Sequence, residues 1–167
     1  MKLSEIFDTD YALEFADPDI SSAIKTALKK TGINSSMIYQ AVEDPKQIFV
    51  VAYIDGAWEV HHGFAEPGKN LVSGEILKEP KTANTKFFST IAKLYKSRLD
   101  KSHPIRVTGT PEMWPTYKKV IDRMVADKQY RMGDVVDIVR DGRTLKSQEI
   151  HHEGTLPVLN EIMVKLK

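Results

Sequence analysis

The sequence predicts an α+β domain with a central, mostly antiparallel sheet and helices on both of its faces. Three observations lead there. An early helical stretch begins at an Asp-Pro pair, two Asp-Gly dipeptides sit between β-rich runs, and helical and strand periodicities alternate between those hairpins. Helix first, then an antiparallel meander, then helix–strand–helix–strand is the order of a layered α+β domain.

Taken in order, residues 1–16 are predicted to be an acidic N-terminal arm, and residues 17–167 a single domain. Residues 1–19 carry one Lys against six Asp/Glu, with Leu3, Ile6 and Phe7 able to form one docking turn. Asp17-Pro18 supplies an N-cap followed by proline at the first helical position. Ile20, Ala23, Ile24, Ala27 and Leu28 then share one helical face, and Gly32 stops the helix. MIYQAV, residues 37–42, is the first strand expected. The clearest local feature follows: IFVVAYI, Asp55-Gly56, AWEVHHGF. Glycine accepts the positive φ of a type I′ turn, so this dipeptide specifies both a hairpin and its register. Tyr53 should face Trp58, Val51 face Val60 and Phe49 face His62; the other face pairs Ile54 with Ala57, Ala52 with Glu59 and Val50 with His61. The first of these faces is the more apolar and should meet helices. NLVSGEIL, residues 70–77, is expected as a further strand.

A long helix is predicted from about Asn84, burying Phe87, Phe88, Ile91, Leu94, Tyr95 and Leu99. A strand over 104–108 leads to a helix near Trp114, with Tyr117, Val120, Ile121, Met124 and Val125 inward and Pro115 in its first turn. DVVDIV and TLKSQEI form a second hairpin around Asp141-Gly142, and Leu156, Leu159, Ile162, Met163 and Leu166 a C-terminal helix.

Composition excludes several functions. The 167 residues contain no cysteine, which removes disulfide and thiolate chemistry and most zinc sites. The longest apolar run, Ile48 to Ile54, is too short to span a bilayer, and an acidic N-terminus does not suit a signal peptide. The expected location is a host cytoplasm or a virion, without membrane contact. Net charge is +1, but residues 1–80 hold 7 Lys/Arg and 13 Asp/Glu, whereas residues 81–167 hold 17 and 10. The basic residues of that half are not interleaved with exposed-looking aromatics, which argues against a nucleic-acid face. His61 and His62 are adjacent on a strand and point to opposite faces, so no metal site is predicted.

The stretch 87–139 carries a resemblance. Its helix FFSTIAKLYKSRL, strand PIRVTG, helix WPTYKKVIDRMVADKQY and strand DVVDIV resemble the C-terminal half of GNAT-type N-acetyltransferases. More closely, they resemble small phage-encoded proteins with a GNAT-like pattern, over roughly residues 36–140. The resemblance implies a glycine-rich loop before the long helix, whose N–H groups would hold the pyrophosphate of acyl-CoA. Here that approach reads Glu79-Pro80-Lys81-Thr82-Ala83-Asn84-Thr85, with no glycine. Lys81, Asn84 and Lys86 are the residues left there to attract such an anion. The resemblance also implies a tyrosine that protonates the departing thiolate, and Tyr117 stands at that position. Tyr117 also stands four residues before Ile121 and seven before Met124, as a core residue would.

Two functional expectations follow from the resemblance. The first is a non-catalytic GNAT-like phage protein that needs no cofactor and acts on a protein partner, in the virion or on a host factor. The alternative is an acyltransferase with a divergent acetyl-CoA loop, using Tyr117 as acid and Glu59 or Glu75 as base toward an amine. A nucleic-acid binder is a distant third.

Overall fold

The computed structural model describes residues 10–65, 85–99, 102–126, 130–152 and 164–166. Among these residues, helices α1 (Pro18–Lys30), α2 (Thr85–Arg98) and α3 (Trp114–Met124) accompany seven strands. These are β1 (Leu13–Phe15), β2 (Ser36–Ala41), β3 (Gln47–Ile54), β4 (Ala57–Phe64), β5 (Ile105–Gly109), β6 (Tyr130–Arg140) and β7 (Arg143–His152). They form one sheet in the order β1-β2-β3-β4-β5-β7-β6, antiparallel except for β4 against β5.

The β3/β4 hairpin has the register its turn demands, with all six expected pairs present. Asp55 and Gly56 have φ of 48° and 85°, so both central residues sit in the left-handed region. Asp141 and Gly142 repeat this geometry at the β6/β7 turn, with φ of 52° and 74°. At α1 the Asp17 side chain accepts from the Asp19 N–H at 3.0 Å, and Gly32, with φ 84°, ends the helix as expected.

Both faces of the sheet carry helices, although the residue pattern singled out one. Phe49, Val51, Val60, Ile105, Val107 and Ile150 pack under α2 and α3 in the larger core. Ile38, Ile48, Val50, Ala52 and Ile54 meet Ile20, Ile24 and Leu28 of α1 in the smaller one. No residue of β5, β6 or β7 belongs to that second cluster among the described residues. Helix α1 therefore covers only the β2–β3 half of its face, and this limit positions the site.

One expectation changes here. The stretch to Phe15, expected as an irregular arm, becomes an edge strand from Leu13, because β2 offers it a free edge. Val42 N–H donates to Ala12 O at 2.9 Å and Ala16 N–H to Ile38 O at 3.0 Å. Tyr11 is buried, and its N–H donates to Thr90 Oγ1 at 2.9 Å. Local acidity disfavours docking, but these backbone bonds and the burial of Tyr11 and Ala16 outweigh it. Leu3, Ile6 and Phe7, the expected strand at 70–77 and most of the expected C-terminal helix lie outside the described residues; Val164 and Lys165 are helical.

Candidate functional site

Glu59 is the least expected residue of the core: a carboxylate with a fully buried side chain in the central strand β4. The hairpin register places it opposite Ala52, on the α1 face but beyond the reach of α1. A lone buried carboxylate would be untenable, and three cationic or potentially cationic groups meet this one. Arg106 Nη1 of β5 donates to Oε2 at 3.2 Å, Arg140 Nη1 of β6 to Oε1 at 2.7 Å, and His61 Nε2 lies 3.2 Å from Oε1. Burial alone would raise the pKa of Glu59, but the hydrogen bonds and charges of His61 and Arg140 hold it down to about 2.

The network runs outward from there. Arg106 also donates to Ile54 O at 3.1 Å and Asp55 O at 3.2 Å, and its Nη2 lies 2.6 Å from Glu149 Oε1 of β7. Arg140 reaches Asp55 Oδ2 at 3.6 Å, so the two hairpin turns meet at one end of the sheet. A half-open groove of about 490 Å³ lies over this cluster, with Asp55, Arg106, Arg140, Ser147, Glu149 and His151 among its lining.

Chemically, this arrangement is a clamp. A carboxylate that already takes three donors and titrates near pH 2 is a poor proton acceptor at neutral pH. It joins β4, β5 and β6 through side chains where the β4/β5 backbone ladder is reduced to the single pair Trp58↔Ile105. On the opposite face, the buried Tyr95 hydroxyl bridges the same two strands, lying 3.0 Å from Arg106 O and 3.4 Å from Val60 O. Burial raises its pKa well above the ordinary phenol value, so it remains a neutral donor.

The residues singled out from the sequence are not gathered here. Tyr117 is buried in the larger core, with its ring close against Gly109, where any Cβ would run into Cδ2 and Cε2 of that ring. Lys86 Nζ is 2.6 Å from Glu43 Oε2 and sits over the Tyr11 ring at 4.8 Å. Lys81, Asn84 and Glu75 lie outside the described residues. His61 and His62 do point to opposite faces. His62 lies among Phe49, Phe64 and Phe87, its Nε2–H donating to Gln47 Oε1 at 3.1 Å, and burial lowers its pKa to about 3. Among the described residues no three His, Asp or Glu side chains are grouped to hold a metal ion.

Arg106, Arg140 and Glu149 escaped the sequence reading. The signal available was the hairpin register, which already put Glu59 in the middle of a sheet face and so required a cationic partner. Compared with protein families, curated proteins and solved structures, the chain matches none of them. No helix among the described residues is long and apolar enough to cross a membrane.

Proposed function

We propose that this protein is a GNAT-like domain without acyl-transfer chemistry that acts by binding another protein. Following the resemblance, we assign it to a phage, as a virion component or a binder of a host factor. One observation carries the interaction reading. Strand β6 is the last strand of the sheet among the described residues, 11 residues long with none of them buried, and it displays Val135, Val136 and Val139 at 46, 48 and 76% exposure. Exposed, long, apolar edges are templates for pairing and are ordinarily blunted unless used.

Two further features favour this reading over catalysis: Glu59 is engaged by Arg106, Arg140 and His61, and Tyr117 packs on Gly109. The short β4/β5 ladder speaks for the acyltransferase alternative, since a free strand edge is what an acyl arm would need. Tyr95 stands in that opening. For nucleic acid, Arg106, Arg140 and Lys146 are already paired with carboxylates.

Thermal melting with acetyl-CoA tests the reading. A ligand at 100 times its Kd would add about 2.7 kcal/mol, a clear shift. Millimolar acetyl-CoA is expected to leave the melting point unchanged. A rise of several degrees, competed by desulfo-CoA, would establish the acyltransferase instead, with Tyr117→Phe then expected to abolish transfer.

A further inference from the structure

We infer that the occupant of the β6 edge is a second copy of this chain, paired antiparallel about a two-fold axis at Asp137. This rests on the reading above that the β6 edge is a pairing surface, and assigns that edge to self-association. The hydrogen-bonding geometry comes first. Arg140↔Arg143 closes the two-residue turn and is therefore a hydrogen-bonded pair, so the backbone groups of Arg140, Ile138 and Val136 face β7. Those of Val139, Asp137 and Val135 face outward. A bulge between Met132 and Val135 ends the regular stretch. The outward set 135, 137, 139 is symmetric about Asp137, so turning a second strand over it pairs every outward group with another.

Side chains agree with that register. Exposed apolar groups occur on both faces of the strand, Val135 and Val139 on one and Val136 on the other with half-buried Ile138. A helix laid on the sheet would cover one face; an added strand covers both. In the two-fold register Val135 meets the partner's Val139, and Val136 meets the partner's Ile138. Charges repeat every three residues as Arg131, Asp134, Asp137 and Arg140. Reversed about Asp137, this pattern sets Asp134 opposite the partner's Arg140 twice, opposite charges across the strands, with each guanidinium also held by Glu59 and Asp55 of its own chain. The two Asp137 carboxylates meet at the axis, each with its own Lys146 at 2.6 Å. The opposite edge, β1, is three residues long and includes Glu14, and offers no comparable template.

So short a seam buries less than the about 1,200–2,000 Å² of a standard interface, so the dimer should be of micromolar affinity. Sedimentation of the full chain should give twice the 18.9 kDa mass at high micromolar concentration and a single mass on dilution. Val139→Pro removes an outward N–H without touching the β7 ladder, and Val139→Lys places a charge there; both should be monomers with unchanged melting points. Because the chain has no cysteine, Asp137→Cys supplies a unique thiol on the axis, within disulfide range at an expected Cα separation of about 5.5 Å. It should cross-link under mild oxidation, and Val42→Cys, also exposed, should not.

A monomer at every concentration, a dimer that survives both Val139 variants, or cross-linking no faster at 137 than at 42 would each overturn the inference. Failure here is separable from failure of the parent reading. A monomer unaffected by acetyl-CoA removes only the second copy as occupant. A melting shift with acetyl-CoA removes the non-catalytic reading, whatever the mass.

Discussion

Two hairpins of this chain share a turn and little else. Both β3/β4 and β6/β7 close on Asp-Gly with both residues at positive φ. Seven of eight residues in β3 are buried, whereas none of the 11 in β6 is. Turn chemistry therefore decides pairing and register, while burial is decided by place in the sheet: β3 is third in the order and flanked by α1 on one face and α2 on the other, and β6 is last. The residues carry the same distinction. IFVVAYI is an unbroken apolar run suited to two covered faces, while DVVDIV breaks its valines with aspartates.

The sharpest way to break the comparison is truncation in each hairpin. Phe49→Ala should cost about 3–5 kcal/mol in denaturant unfolding, and Val139→Ala less than about 0.5 kcal/mol in the dilute chain. Comparable losses at both sites would mean that the described exposure of β6 is not its environment. Glu59→Gln should rank with Phe49→Ala, at about 3–5 kcal/mol, because it leaves Arg106 and Arg140 partly unpaired. Replacing Glu59, Arg106 and Arg140 together by apolar residues should recover part of that loss, which a purely local effect of Glu59 would not permit.

Acid separates the hairpins next. Burial lowers the pKa of His62 from 6.5 to about 3, so the unfolded chain takes up a proton that the folded chain refuses. That contribution is complete above pH 6.5 and declines by up to about 1.4 kcal/mol per unit as pH falls toward 3. Glu59, lowered from 4.5 to about 2, adds its own loss only below pH 4.5. Unfolding free energy should therefore drop by about 2 kcal/mol between pH 6.5 and 5, and His62→Phe should remove most of that drop, leaving the smaller part due to His151, whose pKa burial also lowers. A flat wild-type profile there would contradict the buried, neutral His62. One effect should be shared by the two hairpins. Gly56→Ala and Gly142→Ala should each cost about 1–2 kcal/mol, since the turns are equivalent and an L side chain is strained at both. Unequal costs would show that the turns differ in more than their surroundings.

Much of the fold was legible because it rests on local signals. Asp17-Pro18 and Gly32 bound α1, and Asp55-Gly56 specified every pair of the central hairpin. What escaped depends on distant residues. Strand β1 has no strand pattern of its own and exists because β2 has an edge to offer. Strand β6 runs back to Tyr130 because Arg131 and Met132 pair with β7 across a bulge. The parallel contact of β4 with β5 and the meeting of Arg106, Arg140 and Glu149 join segments up to 90 positions apart (Glu59 to Glu149), which periodicity does not connect. Glu59 itself was legible as a charge in mid-sheet, but its partners were not.

The central claim is that another strand covers the exposed valines of the β6 edge, and amide exchange tests this residue by residue. The amides of Val136, Ile138 and Arg140 bond to β7 and should exchange slowly at any concentration. Those of Val135, Asp137 and Val139 point outward and have protection only if a second copy supplies acceptors. At high micromolar concentration all six should be slow, and on dilution the outward three alone should speed up. Rapid exchange of Val135, Asp137 and Val139 at every concentration would contradict the claim.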